Sequence, residues 1–547
     1  MQKFIEKYRV DFFFVLLLLL CGIKFTSNIS TFIDLPYSDE GSYLEDAVRA
    51  PENGFKPAYW GTLYTFWYYC LLLIFKNAVT AFYTNVTLLT LFPTLLLYVF
   101  LRINKVSATK SLLAAFMYLI SFNNLYVFHK GNQFAYSILL VGLCTASYFR
   151  RHPIFFFILA LFVFIISFAR PEMVLAFYML SLAYVFVHFK STVRLHWFTW
   201  KPVLFSTLLV VLSVIAWQAL LKNESRSYYT FSSNFPVNWV QWNNLSLDPD
   251  QNHQMLTQEA FGDAKTLGQA LNNNPRAFCK HVLYNFKTFI EVFIRLFFCH
   301  FNLILPASNR FFTLLEGLLI ALLAVAVLYK NRDKMPEFRS QLNEHKWFLV
   351  SVAIMLVPCG VANFIFYPRF NYVLLPVNFS FLVIGVLFLA NWKPSTTKLV
   401  YMPILSLLLL AATPTLSSNW YFASADKQNN ADKTTLKNIV DIIDNLNLQQ
   451  PTKIFVAEKS IFLYNSKLEN IDCYYSKQDF PTFKSLVDGC NIKIIVVTNY
   501  LLSNQMVREM HGFDDYLKNP SDFGFEKIPV PNSSSFLLVH HSLGINH

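Results

Sequence analysis

Residues 10–20 read VDFFFVLLLLL, and the apolar character continues to about residue 32. About 20 consecutive apolar residues are enough for one helix to cross a membrane. Residues 23–30 contain no convincing small-residue cleavage site, so the segment is predicted to be a retained first helix rather than a signal peptide. Similar runs recur through the 547 residues, which are 55% hydrophobic and only 14% charged. A water-soluble protein would carry about 25% charge, so the sequence predicts a polytopic α-helical membrane protein.

About eleven transmembrane helices are predicted, each near the length that a membrane requires. Two further apolar stretches, 59–75 and 286–305, are predicted to be juxtamembrane or re-entrant helices, because a crossing at 59–75 would invert the basic loops that follow it. The predicted spans lie roughly at residues 11–32, 79–101, 111–128, 133–149, 153–169, 172–189, 202–221, 310–330, 347–366, 371–390 and 398–416.

The distribution of positive charge predicts the orientation. The net charge is +12, and basic residues concentrate in short loops such as 102–110, 190–201 and 331–346. Cytoplasmic loops carry such an excess of Lys and Arg, so the N-terminus is predicted to be cytoplasmic. Because this charge is accounted for by membrane topology, membrane lipids rather than nucleic acid are the expected partners.

The chain divides into a transmembrane domain, 1–416, and a C-terminal domain, 417–547. The transmembrane domain includes a first outer loop at 33–78 and a large outer loop at 222–309. The C-terminal domain is predicted to be a small extracytoplasmic α/β domain, with a helix at 434–446 and strands at 453–457, 493–498 and 535–540. It contains two cysteines, Cys473 and Cys490, whose pairing in a disulfide the sequence leaves open.

An acidic pair, Asp39-Glu40, follows the first apolar helix by about seven residues. Carboxylates at a membrane mouth are costly unless they pair or take part in chemistry. One of them could act as a general base on a sugar hydroxyl. The alternative is an ordinary solvated turn, which fits the nearby acids Glu45 and Glu52 well.

Three cations on the predicted outer face are candidate phosphate-binding residues. Lys56 heads an aromatic interfacial segment, Arg170 lies in a hairpin, and Arg369 precedes the tenth span. Lysine binds phosphate as a point charge and arginine in a forked geometry. The alternatives are a snorkelling lysine and a structural ion pair of Arg170 with Glu172. Candidate cavity or acceptor residues are Tyr43, Tyr59, Glu172, Tyr367 and Glu316, and the short loop 129–133 is a further candidate lining.

Several kinds of site are not supported by the sequence. It contains no Walker loop, dinucleotide-binding glycine fingerprint, HExxH motif or paired CxxC motif. Nucleotide-driven transport and zinc proteolysis therefore have no support, and His540-His541 is predicted to lie at a strand end on the surface. No metal ligands and no certain cofactor are predicted, and a divalent metal is left open.

Four motifs together resemble GT-C glycosyltransferases. Asp39-Glu40-x-x-Tyr43-x-x-x-Ala47 is similar to the first outer-loop signature of that superfamily, and Lys56-Pro57-x-Tyr59-Trp60 is similar to its juxtamembrane segment. Arg170-Pro171-Glu172, and Arg369-Phe370 with Pro376, resemble its later outer-face motifs. The nearest group contains aminoarabinose transferases and protein O-mannosyltransferases, with O-antigen-modifying glucosyltransferases as a further resemblance.

The resemblance implies an inverting transfer of one sugar from an undecaprenyl-phosphate donor to a periplasmic or surface glycan, first of all O-antigen or lipopolysaccharide. Asp39 would be the base and Glu40 its support, and Lys56, Arg170 and Arg369 would hold the donor phosphate. It also implies a bacterial inner-membrane location with a periplasmic C-terminal domain. The chain departs from the pattern at Ala58 and at Asn132-Gln133, which leaves any metal or second acid open.

Two rival functions remain at this point. An O-antigen ligase or polymerase would transfer a whole glycan from a polyprenyl pyrophosphate and would not depend on Asp39. A lipid or glycan transporter would place its essential charges near the middle of the membrane, whereas the candidate charges here lie at its outer face.

Overall fold

The structure is a computed structural model, and it describes residues 2–31, 33–35, 39–55, 61–125, 130–195, 200–221, 224–247, 249, 252–299, 340, 342–368, 370–389, 402–413, 435–456, 461–464, 467–471, 480–503 and 505–544. Most of these residues are helical, and a small sheet lies near the C-terminus. The predicted helical class and the small C-terminal sheet are therefore confirmed.

The helices up to residue 299 begin with α1 (Gln2–Thr26) and continue into the segment that was predicted to be the large outer loop. The others are α2 (Asp39–Val48), α3 (Ala50–Asn53), α4 (Thr62–Phe75), α5 (Ala78–Ile103), α6 (Ala108–Leu119), α7 (Phe122–Leu125), α8 (Gly131–Ser147), α9 (Ile154–Ser167), α10 (Val174–Leu195), α11 (Trp200–Ala216), α12 (Glu224–Asn243), α13 (His253–Phe261), α14 (Leu267–Asn273) and α15 (Pro275–Cys299).

Among the residues described between 340 and 413, the helices are α16 (Lys346–Ile365), α17 (Phe370–Ile384) and α18 (Met402–Ala412). Within the described ranges, four helical stretches are long and apolar enough to cross a membrane. They are Arg9–Thr31, Ala78–Ile103, Pro171–Phe189 and Lys346–Ile365. These stretches support a membrane protein, while the number of eleven spans stays a prediction.

The predicted span at 111–128 is not one continuous helix. Helix α6 ends at Leu119, and Ser121 and Asn124 then bond to the carbonyls at its end. The Ser121 hydroxyl donates to the carbonyl of Tyr118 at 2.7 Å, and the Asn124 amide donates to that of Leu119 at 3.2 Å. The last carbonyls of a helix need such partners, and here Ser121 and Asn124, the latter within the short helix α7, supply them.

The chain divides into two compact units, and each is described by itself. The first comprises Met1–Phe25, Lys56–Tyr64 and Leu88–Thr413. Its main core is built from apolar faces of α5, α8, α9, α10, α16 and α17, with buried residues such as Phe155 and Phe379. A smaller aromatic core around Phe231 and Phe261 holds α12, α13 and α15 together.

The second unit comprises Thr26–Phe55, Thr65–Thr87 and Pro414–His547. Its sheet has the order β2-β1-β3-β5-β4. Strands β1, β2 and β3 are parallel neighbours, and β4 and β5 run antiparallel. The strands are β1 (Thr452–Phe455), β2 (Leu468–Ile471), β3 (Ile494–Val497), β4 (Phe525–Pro529) and β5 (Phe536–His540).

The helices of the C-terminal segment are α19 (Thr435–Asn445), α20 (Phe483–Cys490), α21 (Asn499–Ser503), α22 (Gln505–Arg508) and α23 (Phe513–Lys518). Helix α20 begins with a capping box, in which the Thr482 and Ser485 side chains each bond the other's backbone amide. The predicted helix and the three predicted strands of this segment are confirmed. Cys473 lies outside the described residues, so its pairing with Cys490 stays a prediction.

Candidate functional site

The acidic pair lies at the start of a helix, because α2 begins at Asp39. Carboxylates are stabilised at this end of a helix by the exposed amides and the helix dipole. The Asp39 side chain lies outside the described residues. Glu40 is completely buried. Its Oε1 accepts hydrogen bonds from the Tyr68 hydroxyl at 2.5 Å and from Asn85 Nδ2 at 3.0 Å.

The partners of Glu40 are themselves connected. Asn85 Nδ2 also donates to the Tyr68 hydroxyl at 2.8 Å, and Trp67 Nε1 donates to Asn85 Oδ1 at 2.7 Å. We call Glu40, Trp67, Tyr68 and Asn85 the Glu40 cluster. A buried carboxylate is tolerated only when hydrogen bonds or charges compensate it. The cluster supplies such bonds from α4 and α5, and it holds the first turn of α2, to which the backbone of Asp39 belongs.

Arg170 lies in the turn between α9 and α10, where it forms an ion pair with Glu172. Arg170 Nε donates to Glu172 Oε1 at 2.7 Å, and the guanidinium lies 5.3 Å from the ring centre of Tyr372. The structural ion pair considered from the sequence is therefore present. Two nitrogens of the guanidinium meet the same oxygen of Glu172, and an aromatic ring lies against its face. These contacts restrict the orientation of Arg170.

The same turn is tied to the segment that follows Lys56. The Leu63 amide donates to the carbonyl of Phe168 at 3.0 Å. A Cβ atom on Gly61 would lie 2.3 Å from the carbonyl oxygen of Ala169, so this position has room only for glycine. The head of α4 and the Arg170 turn are thus in direct backbone contact.

Lys130 is a buried cation that sequence reasoning placed only in a short outer loop. It is completely buried. Its ammonium donates to the backbone carbonyl of Asn124 at 2.6 Å and to Thr90 Oγ1 at 3.1 Å. Asn132 and Gln133, which were predicted to lie in the same loop, instead lie in the first turn of α8 and are buried as well. His129 lies outside the described residues. Buried lysines are rare unless polar groups surround them, and Lys130 forms a buried polar cluster with Thr90 and Asn124 among apolar helices.

A further buried polar cluster lies beneath the segment that leads to Arg369. His281 Nε2 lies 3.0 Å from the carbonyl oxygen of Ile365 and 3.1 Å from that of Phe366. Asn285 Nδ2 also lies 2.9 Å from Nε2, and Asn238 Nδ2 lies 2.9 Å from Nδ1. Because two carbonyl oxygens face Nε2, we assign the proton to that nitrogen, so Nδ1 accepts from Asn238 Nδ2. Burial lowers the pKa of His281 to about 4, although the two carbonyls favour the charged form. The neutral imidazole joins α12 and α15 to the end of α16.

Other predicted site residues are only partly accounted for. Tyr43 and Tyr367 are half-buried. Lys56, Tyr59, Glu316 and Arg369 lie outside the described residues. The structure therefore joins Glu40 with Tyr68 and Asn85, and Arg170 with Glu172, each pairing within its own unit.

The sequence contains one signal for the buried polar residues around the predicted site residues, which were not predicted as hydrogen-bond partners. Tyr68, Asn85 and Lys130 are polar residues within or beside apolar helices, a position that favours interior contacts. Among the residues that the structure describes, no group of three or more His, Cys, Asp or Glu side chains is arranged to hold a metal ion.

Comparison with known proteins adds no assignment. No family model matches the chain. No curated protein matches it either.

Proposed function

We propose that this protein is a polytopic inner-membrane glycosyltransferase of the GT-C type. It would move one sugar from an undecaprenyl-phosphate donor to a periplasmic or surface glycan. O-antigen or lipopolysaccharide is the acceptor that we propose first. In this proposal the chain has eleven spans, a cytoplasmic N-terminus and a periplasmic C-terminal domain.

The burial of Glu40 is the observation that carries the proposal. A carboxylate with no exposed surface, held by Tyr68 and Asn85, stands one residue after Asp39 at the start of α2. Such a group is costly to bury, and buried ionisable groups are concentrated at functional sites. A fixed first turn would hold Asp39 in place as a base while Glu40 itself stays out of the reaction.

The second support is the turn that contains Arg170. Glu172 and Tyr372 orient its guanidinium, and backbone contacts join the turn to the segment that follows Lys56. Preorganised cations stabilise the charge that develops on a leaving phosphate. Lys56 and Arg369 would complete the phosphate site.

The reaction follows from these roles. Asp39 takes the proton of an acceptor hydroxyl, whose oxygen attacks the anomeric carbon of the donor sugar. The bond from that carbon to the phosphate oxygen breaks as the new glycosidic bond forms, and undecaprenyl phosphate leaves with the electron pair. Attack opposite the leaving group inverts the anomeric configuration.

The test uses the full chain in nanodiscs with a panel of undecaprenyl-phosphate sugars and purified lipopolysaccharide as acceptor. Release of free undecaprenyl phosphate is followed for the wild type, Asp39→Asn and Arg369→Ala. Glu52→Gln and Arg276→Ala are the matched controls, because both residues are exposed. Loss of a general base lowers rates by about 10²- to 10⁴-fold, so Asp39→Asn should fall in that range while both controls stay near the wild type.

Two results would overturn the proposal. Transfer from a polyprenyl-pyrophosphate glycan that survives in Asp39→Asn would identify a ligase or polymerase. Movement of a lipid-linked sugar across the nanodisc or vesicle membrane without glycosidic bond formation would identify a transporter.

A further inference from the structure

The C-terminal segment is attached to the first outer loop by Asp34. The two carboxylate oxygens of Asp34 accept hydrogen bonds from the backbone amides of Leu436 and Lys437, each at 2.9 Å. These amides lie in the first turn of α19, where no carbonyl of the helix can reach them. Asp34 therefore caps a helix about 400 residues away in sequence, and both segments belong to the second unit.

Tyr464 is brought to the same region by a short 3-10 helix, Ile461–Tyr464. This helix packs against both α2 and α19. Tyr464 is 7% exposed, and its hydroxyl has no hydrogen-bond partner among the residues that the structure describes. Buried hydroxyls are nearly always hydrogen-bonded, which makes a bound ligand a candidate partner for this hydroxyl.

The electrostatic surroundings of the Tyr464 hydroxyl include two carboxylates, those of Asp34 and Glu40. Burial, then Tyr83, Asp34 and Glu40, raise the pKa of Tyr464 well above its usual value. The phenol is therefore neutral at physiological pH and keeps its proton as a donor. The carboxylates that act on it are those of the cap and of the Glu40 cluster, so the hydroxyl lies near the start of α2.

We propose that Tyr464 is a substrate-binding residue supplied by the C-terminal segment, whose hydroxyl donates a hydrogen bond to a sugar oxygen beside Asp39. This inference rests on the proposed function, and it gives the C-terminal segment a part in recognition. A neutral donor that is influenced by two carboxylates fits the hydroxyls of a sugar, which both donate and accept. An anionic phosphate is a poorer fit beside those carboxylates.

The sugar-donor lipid and the acceptor glycan both carry sugar oxygens, so the experiment must distinguish which of the two substrates Tyr464 contacts. The full chain in nanodiscs is compared as wild type, Tyr464→Phe and Tyr516→Phe. The control removes the hydroxyl of another buried tyrosine, one that packs within the sheet's hydrophobic core around Phe483 and Phe525. Initial rates are measured while the undecaprenyl-phosphate sugar and lipopolysaccharide are varied in turn, and binding of the radiolabelled donor is compared with that of bare undecaprenyl phosphate.

Loss of one neutral hydrogen bond should weaken recognition by about 3- to 10-fold. Tyr464→Phe should therefore raise KM for one substrate by that factor with kcat nearly unchanged, as expected for a contact made equally in the ground and transition states. A rise in the donor KM alone assigns the contact to the donor sugar, and a rise in the acceptor KM alone assigns it to the acceptor. Tyr516→Phe should match the wild type.

Failure of this inference can be told apart from failure of the proposed function. Transfer by the wild type with an unchanged Tyr464→Phe variant overturns the role of Tyr464 and leaves the transferase standing. Preferential binding of the sugar-bearing lipid that weakens in Tyr464→Phe, without transfer, supports the residue and overturns the enzyme. Neither transfer nor preference for the sugar-bearing lipid overturns both.

Discussion

Acidification should loosen the attachment of α12 and α15 to the end of α16, because it protonates His281. The pKa of this residue is about 4 in the folded protein, against an ordinary value of 6.5, since burial disfavours the charged imidazole. We call the state in which α12 and α15 are detached from the end of α16 the open state, and the attached state the closed state. Between pH 4 and pH 6.5 the open state binds more protons than the closed state, because His281 has its ordinary pKa in the open state. The stabilisation is complete above about pH 6.5 and is lost as the pH falls towards 4.

The size of the effect follows from the two pKa values. One pKa unit is worth about 1.36 kcal/mol, so the full difference corresponds to about 3 kcal/mol. At pH 5 about 2 kcal/mol of this is lost, which raises the population of the locally open state about 30-fold. Protonation would also place a second N–H against Asn238 Nδ2, itself a donor at 2.9 Å.

Hydrogen–deuterium exchange in nanodiscs measures this opening for peptides covering Glu224–Asn243 and Pro275–Cys299. After correction for intrinsic exchange, these peptides should open about 30-fold more often at pH 5 than at pH 8. His281→Gln should remove the pH dependence, and His511→Gln, which replaces an exposed histidine, should keep it. Equal pH dependence in the wild type and His281→Gln would refute the reasoning.

Two further predictions concern contacts between backbone segments. Asp34→Ala removes the cap of α19 and should cost about 1 kcal/mol, measured as faster hydrogen exchange in the first turn of that helix. The control Asp441→Ala breaks a surface ion pair with Lys437 and should change the free energy of opening by less than about 0.5 kcal/mol. Equal effects of the two substitutions would contradict the cap. Gly61→Ala places a Cβ against the Ala169 carbonyl and should cost about 1–3 kcal/mol, lowering the melting temperature in detergent. In the control Gly360→Ala the added Cβ atom would lie 3.5 Å from its nearest neighbour, Phe364, so the melting temperature should not fall. A Gly61→Ala variant with the melting temperature of the wild type would disprove the close packing.

The C-terminal sheet shows which strands a sequence can reveal. The three strands predicted from apolar runs are β1, β3 and β5, which occupy the centre of the sheet. The two that were missed, β2 and β4, are its edges. They contain charged residues such as Glu469, Glu526 and Lys527. Edge strands are commonly short and charged, which prevents pairing with other chains and also removes the apolar pattern on which prediction depends.

The helices of the large outer loop escaped prediction for a different reason. The placement of residues 222–309 between two spans stays a prediction, and α12, α13, α14 and α15 occupy much of this stretch. The Asn-rich patch before Pro275 marks a turn between α14 and α15, where Asn274 Oδ1 accepts from the Ala277 amide at 3.0 Å. Helices that pack through a few aromatic residues, here around Phe231, lack the long apolar stripe from which a helix is predicted in a sequence.

The candidate site was predictable in its acids but not in their surroundings. Asp39-Glu40 stands out because charge is rare so close to an apolar helix. Nothing local predicts that Tyr68 and Asn85, 28 and 45 residues beyond Glu40, meet its carboxylate. Such contacts are set by how α2, α4 and α5 pack, which a single sequence does not state.

The burial of Glu40 separates the roles of the two acids. A general base must reach the proton that it removes, and a carboxylate with no exposed surface and two protein donors on one oxygen is poorly placed to do so. Glu40 is better suited to hold the first turn of α2, and the proposed mechanism therefore assigns the base to Asp39 at the start of the same helix. The unit that contains this turn also contains Asp34 and the helix that it caps, so the C-terminal segment is bonded to the loop that precedes α2. In the proposed mechanism, the C-terminal segment would thereby help to position Asp39.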